Sequence, residues 1–156
     1  MKIITLSRIS KTYNPGTVPV HALRDLELSF VPGEFTAVVG PSGSGKSTLL
    51  NIIGGLDSPT TGEVVIDDTR LHELSSTEMI DFRLHHIGFV FQNYSLLPVL
   101  TARENVEFIM QLQQRDKKEY RERAEELLVQ AGLKDEMDRR PGKLSGGQQQ
   151  RVAVAR

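Results

Sequence analysis

The amino-acid sequence predicts an α/β fold, with antiparallel strands at the N-terminus followed by a core strand, a glycine-rich loop and a helix. Three observations support this prediction. Short β-prone segments separated by turn residues occupy the beginning of the chain. The apolar run at residues 35–39 leads directly into a glycine-rich loop and an apolar helical segment at 48–53. Helical patterns dominate from residue 101 onwards, which indicates a separate cluster of helices.

The N-terminal strands are expected at residues 2–9 and 26–31, because apolar and polar residues alternate there. The turn-forming residues Asn14, Pro15 and Gly16 follow the first of these strands. An antiparallel arrangement of the two strands is therefore expected.

Two further segments, residues 35–39 and 87–91, have the apolar and β-prone composition of buried parallel strands. A tight turn at 32–34 leads into the first segment. Another strand is expected at 63–67, after the first helix. We expect the segments at 35–39 and 87–91 to be buried strands.

Five helices are expected. The first, at 48–53, is followed by two glycines that end it. Three capping boxes, in which Ser or Thr precedes Glu or Gln by three residues, predict helix starts at Ser75, Thr101 and Ser145. The first of these three is expected to end near residue 82 and the second near residue 113. An amphipathic helix is expected at 117–131, with its inward face formed by Tyr120, Ala124, Leu127, Leu128 and Ala131.

The composition excludes several classes of protein. The 156 residues suit one domain with a substantial core. The 19 basic and 20 acidic residues balance, which gives no support for a nucleic-acid partner. The absence of cysteine excludes disulfides and thiolate metal sites and fits a reducing compartment. The first residues lack the apolar core of a secretory signal, and the longest uncharged run is too polar to span a membrane.

The strongest motif is a loop that matches the phosphate-binding pattern Gly-x-x-x-x-Gly-Lys-Ser/Thr at every required position. Its glycines allow successive backbone N–H groups to point at phosphate oxygens. The Lys46 ammonium can reach the terminal phosphates, and the Ser47 hydroxyl can hold Mg²⁺. The positive end of the following helix faces the same anion. We therefore expect a nucleoside triphosphate to bind at Gly40, Pro41, Ser42, Gly43, Ser44, Gly45, Lys46, Ser47 and Thr48.

A second glycine-rich stretch consists of Leu144, Ser145, Gly146, Gly147 and Gln148. Ser145 and Gln148 can be read simply as a capping box. Two glycines in the first turn of a helix, however, cost about 1 kcal/mol each relative to alanine, and capping does not require them. They would expose backbone N–H groups at a helix N-terminus, so this stretch is a candidate for a second anion site.

The helix expected at 101–113 is apolar on two sides. One face carries Val106, Ile109 and Met110, and Phe108 and Leu112 lie nearly opposite. One side can pack on the core while the other side contacts a partner, or both sides can be buried. The sequence leaves these two alternatives open.

With these motifs the chain resembles the nucleotide-binding subunit of ATP-binding-cassette (ABC) transporters over essentially its whole length. The stretch from Leu144 to Gln148 resembles the signature motif of that family. Tyr13 stands where the family has an aromatic residue that stacks on adenine, and Gln92 stands where it has the glutamine of the Q-loop. The resemblance implies a single P-loop NTPase domain of the ABC type. Its core would comprise residues 1–92 and 144–156, and about 93–143 would form an inserted helical subdomain.

The resemblance also implies that ATP and Mg²⁺ bind between two such subunits in a head-to-tail dimer, most simply a homodimer. Each ATP would contact the phosphate loop and Tyr13 of one subunit and residues 144–148 of the other. Ser47 and Gln92 would bind Mg²⁺, and Gln92 would also act in catalysis and coupling.

Membrane-spanning permease subunits are the further partners that the resemblance implies, and they would contact the helical subdomain. The protein would then be cytoplasmic and peripheral on the inner face of the cytoplasmic membrane, without inserting into it. Neither this arrangement nor the charge balance calls for nucleic acid as a partner.

Several stretches, among them residues 55–59, 89–92 and 100–106, resemble one branch of the family. That branch contains the ATPases of macrolide export, lipoprotein release, heterocyst glycolipid export and cell division. Export or mechanical work driven by ATP is therefore implied. An ATPase of an amino-acid importer remains an alternative, because importers share some of these stretches. A soluble ABC protein of DNA repair or translation would carry a long or basic insert between the two motifs, which this chain lacks.

The sequence stops at Arg156, before the positions at which the family has its Walker B aspartate, catalytic glutamate and switch histidine. We therefore expect the chain to be an N-terminal fragment that lacks the C-terminal part of the core. Such a fragment should fold poorly alone and hydrolyse no ATP, because no carboxylate positions the attacking water. A non-catalytic ATP-binding module of this length is the alternative.

Overall fold

The computed structural model describes residues 3–14, 16 and 18–156. The chain forms two compact units, Met1–Arg83 and Leu84–Arg156. Of the features expected above, Pro15 in the predicted turn and Lys2 at the start of the first predicted strand lie outside the described residues. The division into residues 1–92 with 144–156 and an inserted subdomain stays a prediction.

The first unit contains a four-stranded antiparallel sheet with the order β2-β1-β3-β4. The strands are β1 (Ile4–Tyr13), β2 (Val20–Phe30), β3 (Thr61–Ile66) and β4 (Thr69–Arg70). The first two strands are longer than the sequence predicted. Register shifts in the β1–β2 pairing, together with positive φ at Arg8 and Asp25, interrupt the alternation of polar and apolar residues. The pattern therefore shows only part of each strand.

The first helix, α1 (Lys46–Ile53), buries Leu49 and Ile52 and contacts β2. It ends at Gly54, and Gly55 follows with a φ of 63°, as the two glycines predicted. The second helix, α2 (Ser76–His86), begins after the predicted Ser75 capping box but extends beyond the expected end near residue 82. A short 3₁₀ helix, Leu71–Glu73, precedes it.

The second unit is helical, with α3 (Ala102–Leu112), α4 (Lys117–Gln130) and α5 (Gly146–Ala155). Short 3₁₀ helices at Lys134–Glu136 and Pro141–Lys143 connect α4 to α5. The three α-helices and these connections share one core, and all five predicted inward residues of α4 contribute to it or pack against it. The core is formed by Ala102, Val106, Met110, Ala124, Leu128, Leu133, Met137, Leu144 and Val152.

The capping boxes at Thr101 and Ser145 are both formed as predicted. Each hydroxyl accepts a hydrogen bond from the N–H group three residues later, and each Glu or Gln side chain accepts one from the N–H group of the capping residue. These reciprocal bonds satisfy two of the N–H groups that a helix start otherwise leaves unpaired.

The two predicted core strands, at residues 35–39 and 87–91, are wrong for this structure, because neither segment pairs with a strand in the part of the chain that the structure describes. Apolar side chains of the first segment are accordingly open to solvent: Phe35 is 99% exposed and Val39 is 87% exposed. A strand is stabilised by hydrogen bonds to a neighbour, and a β-prone composition alone does not supply one.

None of the described helices combines the length and the hydrophobicity that a bilayer-spanning segment requires.

Candidate nucleotide-binding site

The glycine-rich loop of the first unit owes its shape to backbone conformations that only glycine adopts easily. Gly43 and Gly45 have φ angles of 80° and 86°, in the left-handed region. Gly45 also lies directly against β2, so that a Cβ there would be 2.5 Å from the Ala22 carbonyl oxygen and 3.0 Å from the Leu23 side chain. The loop is therefore held tightly against the sheet at the point where α1 begins.

The Lys46 side chain folds back across this loop. Its ammonium donates hydrogen bonds to the carbonyl oxygens of Gly40, at 2.8 Å, and Pro41, at 2.7 Å, with the Ser44 hydroxyl at 3.4 Å. The hydrogen bonds of Lys46 thus close residues 40–46 into a ring around its ammonium group. A cation held in this way is positioned to bind phosphate oxygens that enter the ring.

The N-terminus of α1 faces the same loop without a capping side chain. The N-cap position is Gly45, and no acidic residue lies in the first turn. The N–H groups of that turn and the positive end of the helix dipole are therefore free to bind an anion. Ser47 is exposed in this first turn, as a Mg²⁺-binding hydroxyl must be.

Tyr13 belongs to the same unit and lies near the loop along the sheet. It pairs with Val20 of β2, two residues before Ala22, which contacts Gly45. Two strand residues span about 7 Å, so the two positions on β2 lie close together. Tyr13 and the phosphate loop thus contact the same strand, β2, and the role of Tyr13 in binding adenine stays a prediction.

The other predicted site residues lie in the second unit. Leu144 is buried in the helical core, and Ser145 caps α5. Gly146 and Gly147 are exposed, and a Cβ added at either would meet no atom within 4 Å. The packing of the described residues therefore imposes no steric requirement for glycine at either position.

Gln92 is exposed and lies in a turn of the second unit that is closed by a hydrogen bond from the Tyr94 N–H group to the Phe91 carbonyl oxygen. Tyr94 and Ser95 have φ angles of 61° and 48°, which are costly for residues with a Cβ. The Arg156 guanidinium donates hydrogen bonds to the carbonyl oxygens of Ser95, at 2.8 Å, and Tyr94, at 3.5 Å. Burial lowers the pKa of Arg156 from its ordinary value, in keeping with a guanidinium that is partly withdrawn from water.

Sequence reasoning missed Arg156 because its hydrogen-bond partners lie 61 and 62 residues away. It also missed a role for Asp57, whose carboxylate contacts the predicted adenine platform. The Tyr13 hydroxyl donates a hydrogen bond to Asp57 over 2.7 Å, across 44 residues of sequence. The only signal at Asp57 was that it lies within one of the stretches that resemble the family.

Comparison with known proteins shows the family of this chain. Residues 23–156 match the family model described as ABC transporter. The chain belongs to the ABC transporter family. Within this family it is 49% identical to the uncharacterized ABC transporter ATP-binding protein YvrO of Bacillus subtilis, over 99% of this chain and 67% of that protein.

Two relatives belong to the branch that the sequence indicated. The lipoprotein-releasing system ATP-binding protein LolD of Colwellia psychrerythraea is 44% identical over 99% of this chain and 60% of its own length. The macrolide export ATP-binding/permease protein MacB of Pasteurella multocida is 45% identical over 99% of this chain and 24% of its own length. The chain therefore spans only part of the length of these relatives.

A solved structure shares the fold. The dimeric, post-hydrolysis structure of the ATP-binding cassette MJ0796 of Methanocaldococcus jannaschii, bound to ADP and Pi, superposes with a TM-score of 0.91 at 47% identity. The match covers 97% of this chain and 67% of that one. The predicted fold class, an α/β P-loop NTPase of the ABC type, is confirmed.

Proposed function

We propose that the chain is the ATP-binding part of an ABC transporter that uses ATP to drive export or mechanical work by membrane-spanning partners. The observation that carries this proposal is the pairing of two different helix starts. One, at α1, follows a glycine-rich loop across which the Lys46 side chain folds. The other, at α5, presents two exposed glycines that no packing among the described residues requires.

In the proposed mechanism the phosphates of ATP enter the ring around Lys46. The Lys46 ammonium exchanges its bonds to the Gly40 and Pro41 carbonyls for bonds to phosphate oxygens, and the first-turn N–H groups of α1 donate to the same phosphates. The exposed Ser47 hydroxyl, together with Gln92, would hold Mg²⁺, which when bound supplies charge neutralisation of the triphosphate.

The proposed active species is a head-to-tail dimer of two such subunits, in which Ser145, Gly146 and Gly147 of one subunit close over the ATP held by the other. The similar MJ0796 cassette is dimeric with ADP and Pi bound, which supports this arrangement. The exposed glycine N–H groups would then bind the terminal phosphate from the opposite side. Closure of this dimer is the step that would do work on the partners.

Hydrolysis requires a residue that orients the attacking water, and we propose that the whole protein hydrolyses ATP in the closed dimer. We also propose that the protein acts at the cytoplasmic face of a membrane through permease subunits, as the roles in the names of LolD and MacB suggest.

The test is Lys46→Ala in the complete protein, with Lys134→Ala as a matched control, because Lys134 is exposed and lies in the other unit. ATP affinity and ATPase activity should both fall by about 100-fold or more in Lys46→Ala and stay unchanged in the control. ATP affinity that survives Lys46→Ala would overturn the proposed function.

A further inference from the structure

We propose that Asp57 is a positioning residue for base recognition: with Lys11, it fixes the Tyr13 ring as a platform for the adenine of ATP. This inference rests on the function proposed above and goes beyond it, because it assigns a specificity role to two residues outside the phosphate loop.

Both carboxylate oxygens of Asp57 are engaged. Oδ2 accepts the hydrogen bond from the Tyr13 hydroxyl, at 2.7 Å. Oδ1 accepts from the Lys11 ammonium, at 2.5 Å, and from the Ser58 N–H group, at 2.8 Å. Lys11 also donates to the Ser58 carbonyl oxygen, at 2.6 Å. One hydrogen-bonded cluster thus joins the Tyr13 hydroxyl, the Lys11 ammonium and the loop at Asp57.

Lys11 determines which face of the Tyr13 ring remains available. Lys11 and Tyr13 are two residues apart on β1. The Lys11 ammonium lies over the ring, 4.9 Å from its centroid, in a cation–π contact. Tyr13 as a whole is 37% exposed. Because the cation covers one face, the proposal places the base on the opposite face.

The segment that carries Asp57 is tied to the phosphate-binding helix. The N–H groups of Leu56 and Asp57 donate to the Asn51 carbonyl oxygen in α1, at 2.8 and 3.2 Å. The same segment runs along β1, where the Thr60 N–H group donates to the Ser10 carbonyl oxygen at 2.8 Å. Asp57 therefore links the Tyr13 ring to the helix that begins at the phosphate loop.

This link sets the separation between the base platform and the phosphate loop before a nucleotide binds. A platform fixed in advance costs less conformational entropy on binding than one that must be ordered by its ligand. The effect should concern only ligands that carry a base, because phosphate binding depends on Lys46 and α1. That difference makes the role measurable.

The carboxylate is charged under ordinary conditions. Burial acts to raise the pKa of Asp57, but the hydrogen bonds from Lys11, Tyr13 and Ser58 outweigh it and hold the pKa below its ordinary value. Both oxygens therefore remain acceptors at neutral pH.

The experiment compares the dissociation constants of ATP and of inorganic tripolyphosphate, which lacks the base, for the complete protein and two variants. In Asp57→Asn we expect the dissociation constant of ATP to rise about five- to tenfold, because one acceptor and the charge are lost. That of tripolyphosphate should change less than about twofold. Tyr13→Phe keeps the ring but removes the hydroxyl, and it should show a smaller change in the same direction.

Asp68→Asn is the matched control, because Asp68 is exposed at the turn between β3 and β4 and asparagine tolerates its positive φ. Equal weakening of ATP and tripolyphosphate in Asp57→Asn would mean that Asp57 only stabilises the fold, and would overturn the inference. If that variant fails to fold, Tyr13→Phe decides, and an unchanged dissociation constant for ATP refutes the role. Failure of the proposed function would be seen separately, as ATP binding that survives Lys46→Ala.

Discussion

Two helix starts of this molecule, those of α1 and α5, contain glycine for opposite reasons. At the start of α1, Gly45 has a φ of 86° and touches the backbone of β2, so its own chain leaves no space for a side chain. At the start of α5, Gly146 and Gly147 are helical and have open space around them. The capping also differs, because α5 has a capping box while α1 has no side-chain cap.

The comparison separates glycines that shape a site from glycines that admit a partner. The α1 loop is complete within its own unit, since Lys46 already closes it. The α5 start is stabilised by Ser145 and Gln148, and its glycines weaken the helix although no packing among the described residues requires them. Glycines that destabilise their own helix without a local packing reason suggest a role in contacts with another molecule. In the proposed dimer that molecule is the nucleotide bound to the other subunit.

The largest expected effect is that of Gly45→Ala, which tests the internal role. The new methyl group would meet the Ala22 carbonyl oxygen at 2.5 Å, and alanine would be strained at the left-handed φ of this position. We expect the free energy of unfolding to fall by about 2–5 kcal/mol and ATP binding to be lost. Gly43→Ala is the control for strain without a clash, because its Cβ would meet nothing within 4 Å, and it should cost only about 1 kcal/mol. Equal stability of the two variants, measured by thermal unfolding, would contradict the close approach.

Gly147→Asp is expected to have a smaller effect on the free protein, and one of opposite sign. A side chain fits there, and an acidic residue in the first turn of a helix is favourable by about 0.3–1 kcal/mol, so the melting temperature should rise slightly. The affinity of one subunit for ATP should be unchanged, while dimerisation on ATP should weaken strongly because the carboxylate would face the terminal phosphate.

Analytical ultracentrifugation with and without ATP measures this dimerisation in the complete protein. Gly147→Ala separates the bulk of a side chain from its charge and should weaken closure less than Gly147→Asp does. Dimerisation that is unaffected by the aspartate would remove the basis for assigning the α5 start to the nucleotide site.

The features that could be predicted from the sequence are those that depend on neighbouring residues. The capping boxes at Ser75, Thr101 and Ser145 fix helix starts within four residues, and all three are formed. The phosphate loop is also a local motif. The question of the two-sided helix is answered in part, because Val106 and Met110 lie in the core while Leu112 is 49% exposed.

The features that could not be predicted depend on partners distant in sequence. The segments at 35–39 and 87–91 have the composition of core strands, but their state depends on whether another strand pairs with them. The hydrogen bonds of Asp57 to Tyr13 and of Arg156 to Ser95 span 44 and 61 residues, and no local pattern announces them. The ends of β1 were obscured by its irregular register.

The two units also differ in the direction of the pKa shift of one carboxylate each, Asp57 and Glu107. This difference gives the smallest predicted effect on stability. Asp57 has a lowered pKa, whereas burial raises the pKa of Glu107, which is 6% exposed on α3, more than the nearby Arg121 and Arg103 lower it. For an acid with a raised pKa in the folded state, ionisation opposes folding. The free energy of unfolding should therefore be highest when Glu107 is neutral and should fall as the pH rises above about 4.5.

The neutral variant Glu107→Gln should therefore be more stable than the wild type at pH 7, by about 1 kcal/mol or less. The difference should disappear below the ordinary glutamate pKa, where both side chains are uncharged. Glu122→Gln, at an exposed position paired with Lys118 over 3.9 Å, should change stability little at either pH. Denaturant unfolding at pH 7 and pH 4 measures both variants. A Glu107→Gln protein that is less stable at pH 7 would show that attraction to Arg103 and Arg121 outweighs the cost of burying the charge.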